Sequence, residues 1–439
     1  MKIAIDAHSL GQKKDNISVA VYARNLSFGL MQLGHEVFPI YSMNRIIHKE
    51  QLMAPTFFQA LVTKGEPDAK NYKRWLLYTF KYAFSHLPFL SPRIKTIQGV
   101  DGLDLQSMRE KLPMAAAGFL NTPSLYRAAQ AIAALTRVET SVMAPKEQPI
   151  DVLHLTMPLP VRIKKAKKIV TVHDMIPLKI PNVVEVNLGH YLNVMETSLR
   201  TADLIFSVSR HTKNDLMEKL NIPDKKIFVT YQSSIIPNDL LELERDEVAR
   251  FLAQYYGLGI GKYFLFYGNI DPKKNIGNLL RAFGIAKTDC KLVIVGGKSW
   301  LSEDVERFFE SKRYNQESQQ KFIRIPHAFF HSLMYLLKGA RALLFPSIYE
   351  GFGLPVLEAM QMGTPVITSN VSSLPEVGGD AAYYVDPYSI ESIKTAIETL
   401  SDNEKKLEEM SQKGLLQADK FSLENHKNRI SQGYELLFA

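Results

Sequence analysis

The chain holds a single cysteine, Cys290, among 439 residues. No disulfide can form within it, which excludes a cross-linked secreted scaffold and fits a reducing compartment. No stretch approaches the roughly 20 apolar residues that cross a bilayer, so no spanning helix is expected. "MKIAIDAHSL" at the start reads as a strand rather than a basic head before an apolar core, so no secretory leader is expected either. Zinc-finger spacings, RNA-recognition motifs and basic zippers are missing, which argues against a nucleic-acid partner. A cytoplasmic, non-integral protein follows.

Acids are missing from one stretch. None lies between Asp68 and Asp101, whereas Lys70, Lys73, Arg74, Lys81, Arg93 and Lys95 do. Tyr72, Trp75, Tyr78, Phe80, Tyr82, Phe84 and Phe89 are interleaved with them. Two readings of 70–95 stand side by side: a segment lying among anionic lipid headgroups, or an inserted helical pair whose aromatics pack inward. The formal net charge is +8; residues 1–258 carry 32 Lys+Arg against 24 Asp+Glu, and residues 259–439 carry 21 of each. The whole excess therefore sits in the first half, which points to an anionic partner there. A second basic run, "RIKKAKK" (162–168), reads alone as a solvated edge.

The chain is too long for one ordinary core, so two domains are expected. Short β-branched runs alternate with helical patterns, which predicts an α/β fold of parallel sheets covered by helices. Strand candidates in the first half include "KIAID" (2–6), "EVFPIY" (36–41), "KIVTVHD" (168–174) and "LIFSVS" (204–209). Those in the second include "YFLFYG" (263–268), "KLVIVG" (291–296), "RALLFPS" (341–347) and "PVITS" (365–369). The rhythm breaks between about 45 and 148, read as an insertion. Residues 238–260 carry no strand and read as a linker, so the division is placed at 258, with Rossmann-like domains over 1–258 and 259–420.

One stretch concentrates chemistry: "SIYEGFGLPVLEAMQMGTPVITS" (347–369). A strand end, a glycine loop and a short helix with Pro355 in its first turn follow one another. The helix start offers free N–H groups and a positive dipole end to an anion. Gly351 and Gly353 admit a close backbone approach. Glu350 and Glu358 flank this junction, and a carboxylate accepts the two hydroxyls of a vicinal diol.

The stretch resembles the signature of the retaining GT-B-fold glycosyltransferases numbered four in the usual classification. Four further segments resemble that family in the expected order: "VTVHDMIPL" (170–178), "FSVSRHTKNDL" (206–216), "YGNIDPKKNIGNLLRAF" (267–283) and "LVIVGGKSW" (292–300). "FSLENHKNRISQGYELL" (421–437) resembles its closing helix, which implies that 421–439 crosses back to the first domain. The resemblance implies two Rossmann-like domains facing across a cleft, with the acceptor on the first and a nucleotide-diphosphate sugar on the second. It implies that Glu358 binds the ribose and Glu350 lies by the donor sugar. Lys274, with Lys273 beside it, would neutralise the diphosphate leaving group. Gly268, Gly296, Gly351, Phe352, Gly353 and Leu354 would line the donor, His173 would hydrogen-bond the transferred sugar, and Asp174 would face the cleft.

The family's first glycine loop is altered. "NISVAVY" (16–22) places Asn16 and Ser18 where glycines are usual, with Gly11 earlier, so acceptor-side contacts rest on Gly11, Asn16, Ser18 and Asp174. No Asp-x-Asp motif occurs, which agrees with an enzyme needing no metal or other cofactor. The expected function is transfer of a hexose, mannose first, from a nucleotide-diphosphate sugar. The acceptor would be a glycan or lipid-linked oligosaccharide of bacterial surface polysaccharide (O-antigen type), handled at the inner face of the cytoplasmic membrane. A UDP- or dTDP-sugar donor and a non-catalytic sugar-binding relative are the alternatives. The sequence does not fix the oligomeric state.

Overall fold

The computed structural model describes residues 1–8, 17–42, 80, 82–85, 91–97, 116–183, 186–297, 303–310 and 321–439. The first half contributes β1 (Lys2–Asp6), β2 (Glu36–Tyr41), β3 (Lys95–Ile97), β4 (Phe119–Asn121), β5 (Thr140–Val142), β6 (Val152–Leu155), β7 (Val161–Ile163), β8 (Lys167–Val172), β9 (Leu204–Ser207) and β10 (Ile227–Val229). Eight of these form one sheet in the order β10-β9-β8-β6-β1-β2-β4-β3, and β5 pairs with β7 apart from it. Within the eight, only β3 runs antiparallel, against β4 at the edge. So the described part of the 45–148 interval extends the sheet.

The second half forms a wholly parallel sheet of β11 (Tyr263–Tyr267), β12 (Lys291–Val295), β13 (Phe322–Ile325), β14 (Ala342–Phe345), β15 (Val366–Ser369) and β16 (Ala382–Val385). Its order is β13-β12-β11-β14-β15-β16. Every residue of β11, "YFLFY", is buried, as a strand covered by helices on both faces must be. The order reverses between β11 and β14, and ligands of open α/β sheets bind outside the strands' carboxyl ends at such a switch. The loops after those two strands carry Gly268–Lys274 and Ser347–Gly353.

The division at 258 does not follow the packing. Ile236, Leu240, Leu243, Val248 and Leu252 join the core of the second sheet, so helix Arg245–Tyr256 packs there. At the other end, helix Leu423–Phe438 buries Ile430, Tyr434 and Leu437 among Ile3, Ile5, Val37 and Phe206 of the first sheet. A side chain at Gly433 would meet the Phe206 ring at 2.5 Å, so the helix lies on that strand only because residue 433 has none.

The run 162–168 is not simply a solvated edge. Lys165 and Lys167 are exposed, but Lys168 is wholly buried. Its ammonium is paired with Glu139 and donates to Ser198 O and Thr201 Oγ1, both at 3.0 Å. Of 70–95, residues 70–79, 81 and 86–90 lie outside the described residues. Tyr82 is buried, with its hydroxyl on Pro123 O at 2.8 Å, while Phe80 and Phe84 are exposed.

Candidate functional site

The strand–loop–helix expected at 347–369 forms as β14, a loop and helix Leu354–Gln361. Gly353 starts the helix at φ 113°, a backbone region that disfavours side chains. Gly351 packs on the other half of the molecule: a Cβ there would lie 1.9 Å from His173 O. The carboxyl edges of the two sheets therefore face each other across this contact. The loop is clamped from below, since Glu350 N donates to Ser372 Oγ at 3.1 Å and Ser373 Oγ donates to Glu350 O at 2.9 Å. Phe352 is buried against Tyr231 and Phe421, which leaves only its backbone to face a ligand. Leu354 is partly exposed.

Lys273 and Lys274 lie in a single 3-10 turn, Pro272–Lys274, stopped by Asn275 at φ 59°. The Asn275 amide holds that turn by donating to Pro346 O and Pro387 O. Lys274 Nζ reaches Glu350 Oε1 at 2.5 Å and sits 4.6 Å from the centre of the Phe345 ring. Burial would raise the Glu350 carboxyl, yet Lys274 and Lys273 hold it below the usual carboxylate range. Burial likewise opposes the charge on Lys273, but Glu350, then Asp174 and Asp271, raise its ammonium above the ordinary value. Buried Lys274, partly buried Lys273 and one ionised glutamate thus lie together at the switch point. Gly268 and Gly296 stand beside them on adjacent strand ends, where a Cβ on Gly296 would lie 1.9 Å from Gly268 O. That contact accounts for a glycine at 296 without invoking a ligand.

Among the described residues Glu358 has no such cation. Its Oε2 accepts from Tyr267 OH and its Oε1 from Ser234 Oγ at 3.0 Å. Burial pushes its carboxyl above the usual range, with those two hydrogen bonds opposing the shift.

On the first sheet, His173 follows β8. Its Nε2 lies 2.9 Å from Thr156 O, and a carbonyl only accepts, so Nε2 carries the proton. Gln232 Nε2 donates to Nδ1 at 3.1 Å, and burial keeps the imidazole neutral by lowering its pKa. Both ring nitrogens are engaged by protein. Asp174 turns the chain by accepting from Ile176 N at 3.1 Å. Ser18 is exposed in the first turn of helix Ile17–Gln32; Gly11 and Asn16 lie outside the described residues.

Several participants carried no sequence signal. Asp6, at the end of β1, accepts from both Thr156 N and Thr156 Oγ1, and burial raises its carboxyl to about 6. Tyr349 OH donates to Asp215, and Glu376 accepts from the backbone N–H groups of Arg210 and His211 at 2.8 and 2.7 Å. Those bonds tie helix Arg210–Leu220 of the first half to the Glu350 loop and to helix Leu374–Gly378. Only the segment "FSVSRHTKNDL" hinted at them.

Comparison with known proteins decides the family. Residues 258–417 match the family model "Glycosyl transferases group 1". O-antigen chain mannosyltransferase B of Escherichia coli is 32% identical over 288 residues, covering 64% of this chain and 72% of that protein. The chain belongs to the group 1 glycosyltransferases. Another member, O-antigen chain mannosyltransferase RfbU of Salmonella typhimurium, is 28% identical over 56% of this glycosyltransferase and 63% of its own length. Among solved structures, Anabaena HepE in complex with UDP and glucose covers 99% of the chain with a TM-score of 0.63 at 11% identity. Sucrose-phosphate synthase from Thermosynechococcus elongatus covers 100%, with 0.64 at 17%. These structures show the fold, GT-B, for this glycosyltransferase.

Proposed function

We propose that this glycosyltransferase moves a hexose, mannose first, from a nucleotide-diphosphate sugar to a growing surface-polysaccharide glycan, with retention at the anomeric carbon. The observation that carries the reading is the buried Lys274–Glu350 pair, with partly buried Lys273 beside it, at the switch point of the second sheet. Two cations in a desolvated site stabilise charge that develops on a departing diphosphate, which is where a barrier to glycosyl transfer falls most. They would supply the charge that a divalent metal supplies elsewhere, so turnover is proposed to need none. Glu358, with both oxygens aligned by hydroxyl donors, suits the ribose diol.

The acceptor hydroxyl would attack on the face from which diphosphate leaves, passing its proton to the leaving phosphate oxygen. The relatives from Escherichia coli and Salmonella are mannosyltransferases, which supports mannose, with GDP-mannose the leading donor. A lipid-linked acceptor at an anionic membrane suits the positive charge of the first half. The deciding experiment is a thermal-shift screen of GDP-mannose, UDP-glucose, UDP-N-acetylglucosamine and dTDP-rhamnose, followed by assignment of the product's anomeric configuration by NMR with and without EDTA. Stabilisation by none of the four, or an inverted product, would overturn the reading.

A further inference from the structure

Between β10 and helix Asn238–Leu241 the chain passes from the first sheet to the second, and Ser234 lies in that connector. It touches helix Leu354–Gln361 twice. Ser234 Oγ donates to Glu358 Oε1 at 3.0 Å, and Gln361 Nε2, nearly one helical turn beyond Glu358, donates to Ser234 O at 3.0 Å. The second bond fixes the serine backbone against the helix face from which Glu358 projects. The hydroxyl of Ser234 is therefore aimed, not merely near.

We propose that Ser234 is a positioning residue for nucleotide binding, which orients the Glu358 carboxylate toward a ribose diol. The inference rests on the donor reading above. An ionised carboxylate has about four lone-pair sites, two on each oxygen. Ser234 fills one on Oε1 and Tyr267 fills one on Oε2. One acceptor site per oxygen is left, the number a vicinal diol needs. The two donors also fix the rotation of the carboxylate plane, so those sites share a direction.

The electrostatics make the role measurable. Among the described residues no lysine, arginine or histidine offsets Glu358, and the one titratable group facing it, Tyr267, is held neutral by burial. Its ionisation therefore depends on burial, which resists it, and on two hydroxyl donors, which favour it. Removing one donor moves the carboxyl pKa upward.

The test is calorimetric titration of the full chain with GDP and with UDP from pH 5 to 8, for wild type, Ser234→Thr, Ser234→Val and Glu358→Gln. Threonine and valine have the same shape and differ in the hydroxyl, so the pair holds folding and packing constant. Nucleotide affinity should fall on the acid side, and in Ser234→Val that limb should move up by about one pH unit, a tenfold loss at a pH on the limb. Ser234→Thr should keep the wild-type limb. Superimposable curves for Thr and Val variants, with Glu358→Gln still weakened, overturn the role of Ser234 and leave the donor reading intact. Wild-type affinity in Glu358→Gln overturns the ribose assignment and this inference with it.

Discussion

Lys274 Nζ stands 2.5 Å from Glu350 Oε1, and both side chains are almost wholly shielded from solvent. A charge pair of this kind, with Lys273 beside it, is the group proposed to receive the donor's diphosphate. Lys274→Ala should lower turnover about 100-fold or more, because charge on the leaving group loses its main partner. The same variant leaves Glu350 buried and less well paired, so its melting temperature should also fall. Steady-state kinetics at saturating donor check the first effect; near wild-type kcat refutes the leaving-group role.

Glu358→Ala should weaken nucleotide diphosphate binding by about 1.5–3 kcal/mol, the range for hydrogen bonds to a charged group. Calorimetry with GDP and UDP reads this directly, and unchanged affinity sinks the ribose assignment.

Gly351→Ala should destabilise the protein and depress activity together. Its Cβ would have to displace His173 O, a backbone atom 1.9 Å away, so the two halves must separate locally. Overpacking of this kind costs about 1–3 kcal/mol. Thermal unfolding at wild-type levels would mean that the facing edges yield freely.

Asp6 gives a pH signature of stability. Its folded carboxyl titrates at about 6 against 3.8 for the ordinary value, because burial favours the neutral form. The folded state then binds its proton more tightly than the unfolded state, so stability contributed by Asp6 falls as pH rises from about 4 to 6 and levels above that. The stability difference between wild type and Asp6→Asn should decline over that window by at most about 3 kcal/mol. A difference independent of pH refutes the shift.

Replacing Lys70, Lys73 and Arg74 together by glutamine should reduce flotation with vesicles containing anionic lipid, and added salt should mimic the effect. Equal flotation returns those side chains to an ordinary solvated surface.

Much of the second half was legible because buried parallel strands are continuous apolar runs, and "YFLFY" or "ALLF" announces itself. The Glu350–Glu358 junction was legible for a different reason: glycine, proline and acid fall at fixed offsets around one helix start. β3, β4, β5 and β7 were not, since three residues carry no periodicity. Lys168 was hidden among lysines that do point outward, and only the fold brings Glu139 to it. Ser234 and Gln232 lie in a connector with no pattern at all, and their importance comes from the Glu358 and His173 side chains they meet. Helix Arg245–Tyr256 looked like a linker because its buried positions, Val248 and Leu252, are few.

Helix Leu423–Phe438 completes a core whose other walls are helix Ile17–Gln32 and strands β1, β2, β6, β8 and β9. During synthesis those strands leave the ribosome long before Ile430, Tyr434 and Leu437 exist. Helix Ile17–Gln32 already covers part of that sheet face, and the rest stays uncovered until the second half has been made. The last helix therefore closes the core of the first half only when the whole chain is present.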